Sequence, residues 1–190
     1  MKIRKEKIEF LPDHELMALV ASGNEKAFEI IYERYKNRLY YFFLRMLGEC
    51  TETANDFLQE LFIKIIDKPH FYNPKYKFST WIFSVANNMC KNEYRKRKTR
   101  DFVTIESFEN KITQEDTIKV KVKAEERINF ILAEIDKLSE ELKTVMILKY
   151  KEKFCLKEIS EITDVPEGTV KSRLFYARKE LSKRLSEFND

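Results

Sequence analysis

The chain has 190 residues, 43% of them hydrophobic and 36% charged, with a formal net charge of +4. That length fills one domain or two small ones, and the charge balance alone makes only a weak case for a polyanionic partner. Three glycines and four prolines supply too little turn chemistry for a strand-rich fold, and neither G-x-x-x-x-G-K-[ST] nor G-x-G-x-x-G occurs, which predicts an all-α protein without a nucleotide-phosphate loop.

Helical periodicity runs over residues 13–22, 24–47, 52–67 and 79–98. In the third segment Phe57, Leu58, Leu61, Phe62, Ile65 and Ile66 form a broad apolar face, opposed by Asp56, Glu60 and Lys64. Ile63 falls outside that face, beside Gln59 and Glu60. It is either a docking residue for a partner helix or a single exposed isoleucine of the ordinary kind.

A loop from Lys68 to Lys77 follows and gathers His70, Phe71, Tyr72, Asn73, Lys75, Tyr76 and Lys77. In the helix after it, Trp81, Ile82, Val85 and Met89 are expected to face the core. Asn87, Asn88, Lys91, Asn92 and Arg95 then remain on the polar side, amide and cationic groups suited to base edges and phosphates. Aromatic rings in a basic setting can stack unpaired bases, at roughly 1–3 kcal/mol per base. The same rings can equally seal a small helical core.

Lys91, Arg95, Lys96, Arg97, Lys98 and Arg100 crowd one stretch, and Lys171, Arg173, Arg178, Lys179, Lys183 and Arg184 crowd another, with mainly acidic charge from Asp101 to Glu115 between them. Two basic regions around an acidic connector imply two contacts on one long polyanion. Residues 101–122 lack a sustained apolar period and are expected to form a flexible linker. Periodicity returns with Ile128, Ile131, Leu132 and Ile135, then Leu142, Val145, Met146 and Tyr150. The expected architecture is two small helical domains and a tether.

Near the C-terminus Leu156, Ile159 and Ile162 recur at helical intervals, Val165 plugs a turn, and Val170, Leu174, Ala177 and Leu181 make one stripe on a second helix. This is a helix-turn-helix pattern, with Pro166 suited to the first position of the second helix. Glu167, Gly168, Thr169, Lys171 and Ser172 lie off the stripe in the first turns, where a recognition helix meets base edges, and Arg173 and Arg178 flank it for phosphates. On spacing alone, an ordinary helical hairpin with a solvated basic face remains the alternative.

No apolar stretch is long enough to span a bilayer, and no signal-peptide core follows Met1 to Lys7, so a cytoplasmic location without membrane insertion is expected. Cys50, Cys90 and Cys155 are widely separated, with only His14 and His70 to assist, which predicts reduced structural cysteines and no metal site. No Ser/His/Asp set or phosphate loop is recognisable, so neither catalytic residues nor a cofactor is expected.

Three segments together carry a resemblance. Asp56-Phe57-Leu58-Gln59-Glu60-Leu61-Phe62-Ile63-Lys64, then Phe78-Ser79-Thr80-Trp81-Ile82 with Ala86-Asn87-Asn88, then Pro166 to Leu174 with Ala177-Arg178, resemble bacterial sigma factors of the sigma-70 family, in particular the small extracytoplasmic function group. The match covers nearly the whole chain in the family's order and spacing. It implies region 2 over residues 1–100, a linker over 101–123 and region 4 over 124–190. By the resemblance, Asp56, Gln59, Glu60, Ile63 and Lys64 dock on the beta-prime clamp coiled coil of core RNA polymerase, and region 4 also meets the beta flap. The Lys68 to Lys77 loop would capture a base flipped out of the minus-10 non-template strand, and the following helix, with Trp81 and the Asn/Lys/Arg set, would hold the adjoining DNA. The recognition helix would take the minus-35 element, and the acidic connector would thread the polymerase channel. An anti-sigma factor is a further partner that the resemblance implies.

Asp164 stands where the family often has glycine, Cys155 where a capping serine is frequent, and Glu167 places a carboxylate close to DNA. An autonomous helix-turn-helix regulator with a helical N-terminal dimerisation domain is the other function considered. It would bind duplex DNA alone and leave the aromatic loop and Ile63 without a use.

Overall fold

A computed structural model describes residues 5–48, 50–103 and 130–186, all of whose regular elements are helical. A 3-10 turn over Lys5–Phe10 precedes α1 (Asp13–Ala21), α2 (Glu25–Leu47) and α3 (Thr51–Asp67). A short 3-10 turn, Pro69–Phe71, then leads to α4 (Phe78–Val103). The second half holds a helical segment over 130–136, α5 (Glu140–Met146), a π turn over Ile147–Lys151, α6 (Leu156–Thr163) and α7 (Glu167–Ser186). Helix α4 runs past the expected boundary at residue 100, and the rest of the expected linker, with Ile128, lies outside the described residues.

The longest early helix, α2, organises the first half. Asn24 caps it by accepting from the Ala27 amide at 3.0 Å, satisfying a donor the helix cannot. Gly48 closes it at φ 92°, a left-handed position that costs glycine nothing. Between these stops Ile31, Tyr35, Leu39, Phe42 and Met46 recur every three or four residues and are buried. Phe42 meets Phe83 of α4 edge-on at 5.6 Å, and Phe43 meets Phe57 of α3 at 5.6 Å. Helix α1 is pinned from outside, because Asp13 accepts from Arg34 at 2.7 Å and from the Tyr35 hydroxyl. Burial, followed by that bond to Asp13, pushes the Tyr35 hydroxyl well above the ordinary tyrosine range.

In the second half the expected stripe is realised: Val170, Leu174, Ala177 and Leu181 are buried against Ile159 and Ile162. Asp164 takes the left-handed turn at φ 56°, the backbone freedom its short polar side chain permits. The Ser160 hydroxyl steadies the turn by donating to the Val165 carbonyl at 2.6 Å. Helix α7 begins at Glu167, one position later than expected. Pro166 precedes the helix, and its carbonyl accepts from Thr169 and Val170 at 2.8 and 3.1 Å. At Cys155 the carboxylate of Glu158 reaches back to the Cys155 amide at 2.8 Å, so the capping task falls to the glutamate.

The halves pack together. Phe154 inserts against Phe83 with ring centroids 5.2 Å apart, and Arg38 lies over both rings while its Nε donates to Glu152 at 2.7 Å. Arg45 of α2 pairs with Asp136 at 2.5 Å and donates to the Leu132 carbonyl at 2.6 Å. Helix α6 lies on α4, the helix that also carries the candidate site.

All three cysteines are free, Cys50 and Cys155 exposed and Cys90 fully buried. Burial pushes the Cys90 thiol far above its usual range, whereas a hydrogen bond from the Thr53 side chain draws the Cys50 thiol down. A thiol-reactive dye should therefore label two cysteines of the native chain rapidly and the third only after denaturation. Rapid labelling of all three would show that α4 is not packed as described.

Candidate nucleic-acid interface

The loop between α3 and α4 divides its aromatic rings between two tasks. Tyr72 is buried, edge-on to Phe78 at 5.2 Å and tilted on Trp81 at 5.4 Å, and its hydroxyl donates to the Tyr76 carbonyl at 2.9 Å. Trp81 is half-buried. Asn73 folds the tip by accepting from the Lys75 amide on its side chain and the Tyr76 amide on its carbonyl, each at 3.0 Å. Phe71 and Tyr76 stay 62% and 56% exposed, with His70 edge-on to Phe71 and the Lys68 ammonium 5.4 Å from its ring. Of the two uses open to these rings, Tyr72 and Phe78 take the core and Phe71 and Tyr76 offer faces to solvent.

Beside the loop is a concavity of about 390 Å³ walled by Tyr72, Tyr76, Lys77 and Ser79, with Asp13 and His14 from α1. Tyr76, Lys75 and Lys77 are exposed in its lining, Lys77 being paired with Glu158 at 2.7 Å, whereas Tyr72 is buried in its wall. The contribution of α1 was not legible in the sequence, because nothing in the order of residues brings Asp13 and His14 to this loop.

On α4 the expected polar set separates. Asn88, Asn92 and Arg95 are exposed, with Arg95 donating to Asn92 at 3.3 Å. Asn87, by contrast, is only 1% exposed, and its amide donates to the Ile162 carbonyl at 3.3 Å. Lys91 is half-buried and donates to the Thr163 carbonyl at 2.9 Å. Among the expected core residues Ile82 and Met89 are buried and Val85 half-buried, but Phe83, Ala86 and Cys90 are fully buried as well. The second half covers a face that the sequence left open.

On α7, Glu167, Gly168, Lys171, Ser172 and Arg178 are exposed and Thr169 is half-buried. A side chain at Gly168 would meet nothing within 4 Å, so the protein's own packing does not require glycine there. Arg173 turns instead toward a cleft of about 700 Å³ between the halves, shared with Lys91, Arg95 and Lys98 and faced by Glu140 and Glu141. Phe175 and Tyr176, absent from the expected site, are 55% and 58% exposed with rings 5.6 Å apart. Their position off the buried stripe was the available signal.

Helix α3 turns Asp56, Gln59, Glu60, Ile63 and Lys64 to solvent, with Lys64 and Glu60 paired at 2.7 Å. Ile63 is 55% exposed, and so is Ile66 at 51%, contrary to its expected place in the core. Ile66 lies at the margin of the stripe made by Leu58, Leu61, Phe62 and Ile65, where no helix among the described residues covers it. Among the described residues no group of His, Cys, Asp or Glu is placed to hold a metal ion, and no helix is long and apolar enough to cross a membrane.

An all-helical chain with a helix-turn-helix, a basic helix and an exposed aromatic loop is of the DNA-binding transcription-factor class. Residues 31–100 match the family model for sigma-70 region 2, and residues 131–181 that for sigma-70 region 4. The chain is 33% identical over 176 residues to the ECF RNA polymerase sigma factor SigW of Bacillus subtilis, covering 88% of this chain and 94% of that protein. It is 29% identical over 185 residues to the ECF RNA polymerase sigma-E factor of Haemophilus influenzae, covering 93% and 97%. Its fold is similar to that of CnrH in complex with the cytosolic domain of CnrY, with a TM-score of 0.68, 20% identity and coverage of 92% and 97%. A second similar structure is RpoE bound to the anti-sigma factor NepR from Bartonella quintana, with a TM-score of 0.63, 22% identity and coverage of 85% and 98%. The chain belongs to the sigma-70 family, in its extracytoplasmic function group, and is a transcription initiation factor.

The division of the loop can be tested by stability. Replacing Tyr72 with alanine should lower folding stability by about 3 kcal/mol, as for other buried aromatics. Phe71→Ala and Tyr76→Ala should each stay within about 0.5 kcal/mol of the parent, being surface changes. Chemical denaturation of the three variants would show equal losses if all three rings were core.

Proposed function

We propose that the chain carries core RNA polymerase to a subset of promoters and opens them without catalysing a reaction itself. The observation that carries this reading is the pair of exposed rings on the α3–α4 loop, Phe71 and Tyr76, the second lining a concavity, in a chain that also presents a helix-turn-helix. Extruding a base costs a few kcal/mol, and stacking it on an aromatic side chain returns roughly 1–3 kcal/mol. With no phosphate loop in the sequence, binding has to offset the rest through phosphate contacts.

The roles divide by element. His70, Phe71, Tyr72, Asn73, Lys75, Tyr76 and Lys77 form the minus-10 base site, with Trp81 supporting it from below. Asn87, Asn88, Lys91, Asn92 and Arg95 hold the adjoining strand. Glu167, Gly168, Thr169, Lys171, Ser172, Arg173 and Arg178 engage the minus-35 element. Asp56, Gln59, Glu60, Ile63 and Lys64 dock on the beta-prime clamp coiled coil, an exposed isoleucine among acidic and amide groups being suited to a partner helix. Region 2 would occupy 1–100, a connector 101–123 and region 4 124–190, the last also meeting the beta flap. The protein acts in the cytoplasm, needs no cofactor, and is held in reserve by an anti-sigma factor.

Transcription reconstituted with purified core polymerase tests the reading, and failure of the chain to bind core would end it. Ile63→Asp should weaken core binding about tenfold or more, a loss of about 1.4 kcal/mol, with an unchanged melting temperature. Full core affinity in that variant would leave Ile63 as plain surface. Lys171→Glu and Arg173→Glu should weaken binding to upstream duplex DNA while core affinity holds, as titration with labelled promoter fragments would show. Equal loss of both affinities would contradict the division of roles.

A further inference from the structure

The cleft between the halves, about 700 Å³ in volume, falls in the size range of small-molecule sites. Lys91, Arg95 and Lys98 reach it from α4 and Arg173 from α7, while Glu140 and Glu141 come from the first turn of α5 and Asp164 from the turn before α7. Met46, Leu138 and Val165 add apolar lining. Arg173 is half-buried, yet among the described residues its guanidinium has no acceptor. The other half-buried arginines described, Arg34, Arg38, Arg97 and Arg184, each pair with a carboxylate. Lys98, Glu140 and Glu141 also form no ion pair among the described residues, so the cleft holds cations and carboxylates apart. A polar group withdrawn from water without a partner calls for one.

We propose that this cleft is a binding site for a guanine nucleotide, its phosphates on Arg173 and the α4 cations and its base edge on Glu140 and Glu141. A guanidinium is a planar fork that donates to two phosphate oxygens at once, and the lysines add point charge beside it. A bare inorganic anion would satisfy these cations but would set the carboxylates against a further negative charge. The carboxylates therefore select a ligand whose other end donates. Guanine presents adjacent N1–H and N2–H donors to the two oxygens of one carboxylate, whereas the corresponding edge of adenine sets a donor beside an acceptor. Side chains alone hold the phosphates, in keeping with a sequence that has no phosphate loop. The site stands on the cleft and not on the proposed DNA roles, but it shares Arg173 with them, so nucleotide and upstream DNA compete.

Isothermal titration calorimetry of the full chain with GDP, ADP and pyrophosphate tests this. GDP should bind, and ADP and pyrophosphate should each bind about tenfold or more weakly, because a site built to accept from a ligand's donors rejects one that lacks them. Lys98, Glu140 and Glu141 are exposed and carry no DNA or polymerase role, so their replacement leaves the fold intact, as an unchanged melting temperature would confirm. Lys98→Ala should weaken GDP and pyrophosphate alike, by about threefold. Glu140→Gln combined with Glu141→Gln should remove the preference for GDP over ADP and leave pyrophosphate binding as tight as in the parent or tighter. GDP should also weaken binding of a labelled upstream duplex to the parent chain. No heat with GDP, equal affinity for the three ligands, or GDP binding untouched by both sets of substitutions would overturn the site. A chain that binds GDP in the expected pattern but no promoter DNA supports the site and refutes only the DNA roles.

Discussion

Phe83 is the point on which both halves of the molecule converge. Fully buried on α4, it meets Phe42 edge-on at 5.6 Å and Phe154 at 5.2 Å, with the Arg38 guanidinium 5.2 Å from its ring centroid. One ring thus belongs to the core of the first half and to the seam with the second. Helix α4 is constrained accordingly: with Ile82, Phe83, Ala86, Met89 and Cys90 buried, Asn87 and Lys91 are turned to the carbonyls of Ile162 and Thr163, while Asn88, Asn92 and Arg95 stay exposed. The aromatic loop depends on the same helix, because Phe78 and Trp81 in its first turn support Tyr72.

The helix-turn-helix was legible in the sequence because its core is local. Val170, Leu174, Ala177 and Leu181 repeat at the helical period and find Ile159 and Ile162 within the same motif. Ile63 was legible for the same reason, as a break in a local stripe. The departures fall where distant chain segments decide burial. Ile66 sits inside the apolar pattern but, among the described residues, stays exposed, whereas Phe83 gains Phe154 from the second half. Asn87 is the sharpest case: its acceptor lies 75 residues away, and no periodicity could announce it. Arg38 and Glu152 are 114 residues apart and were equally silent.

A net charge of +4 hides the arrangement that matters. The cations of α4 and α7 are not spread as a solvated coat; several converge on one cleft, with the carboxylates of Glu140 and Glu141 opposite. Burial, then the neighbouring Glu141, raises the Glu140 carboxyl above its ordinary range. Local fields of this kind, rather than overall charge, decide where a polyanion is held.

The central claim is that binding energy alone opens promoter DNA around the α3–α4 loop. Its most direct test is permanganate reactivity of thymines on a promoter mapped from transcripts that rise when the chain is expressed. The assay would combine that promoter with core polymerase and the protein, and omit nucleotides. The account predicts reactive thymines across the minus-10 element with the parent protein and their loss when Phe71 and Tyr76 are both replaced by alanine. Duplex binding without any reactive thymine, or opening that survives the loss of both rings, would contradict it.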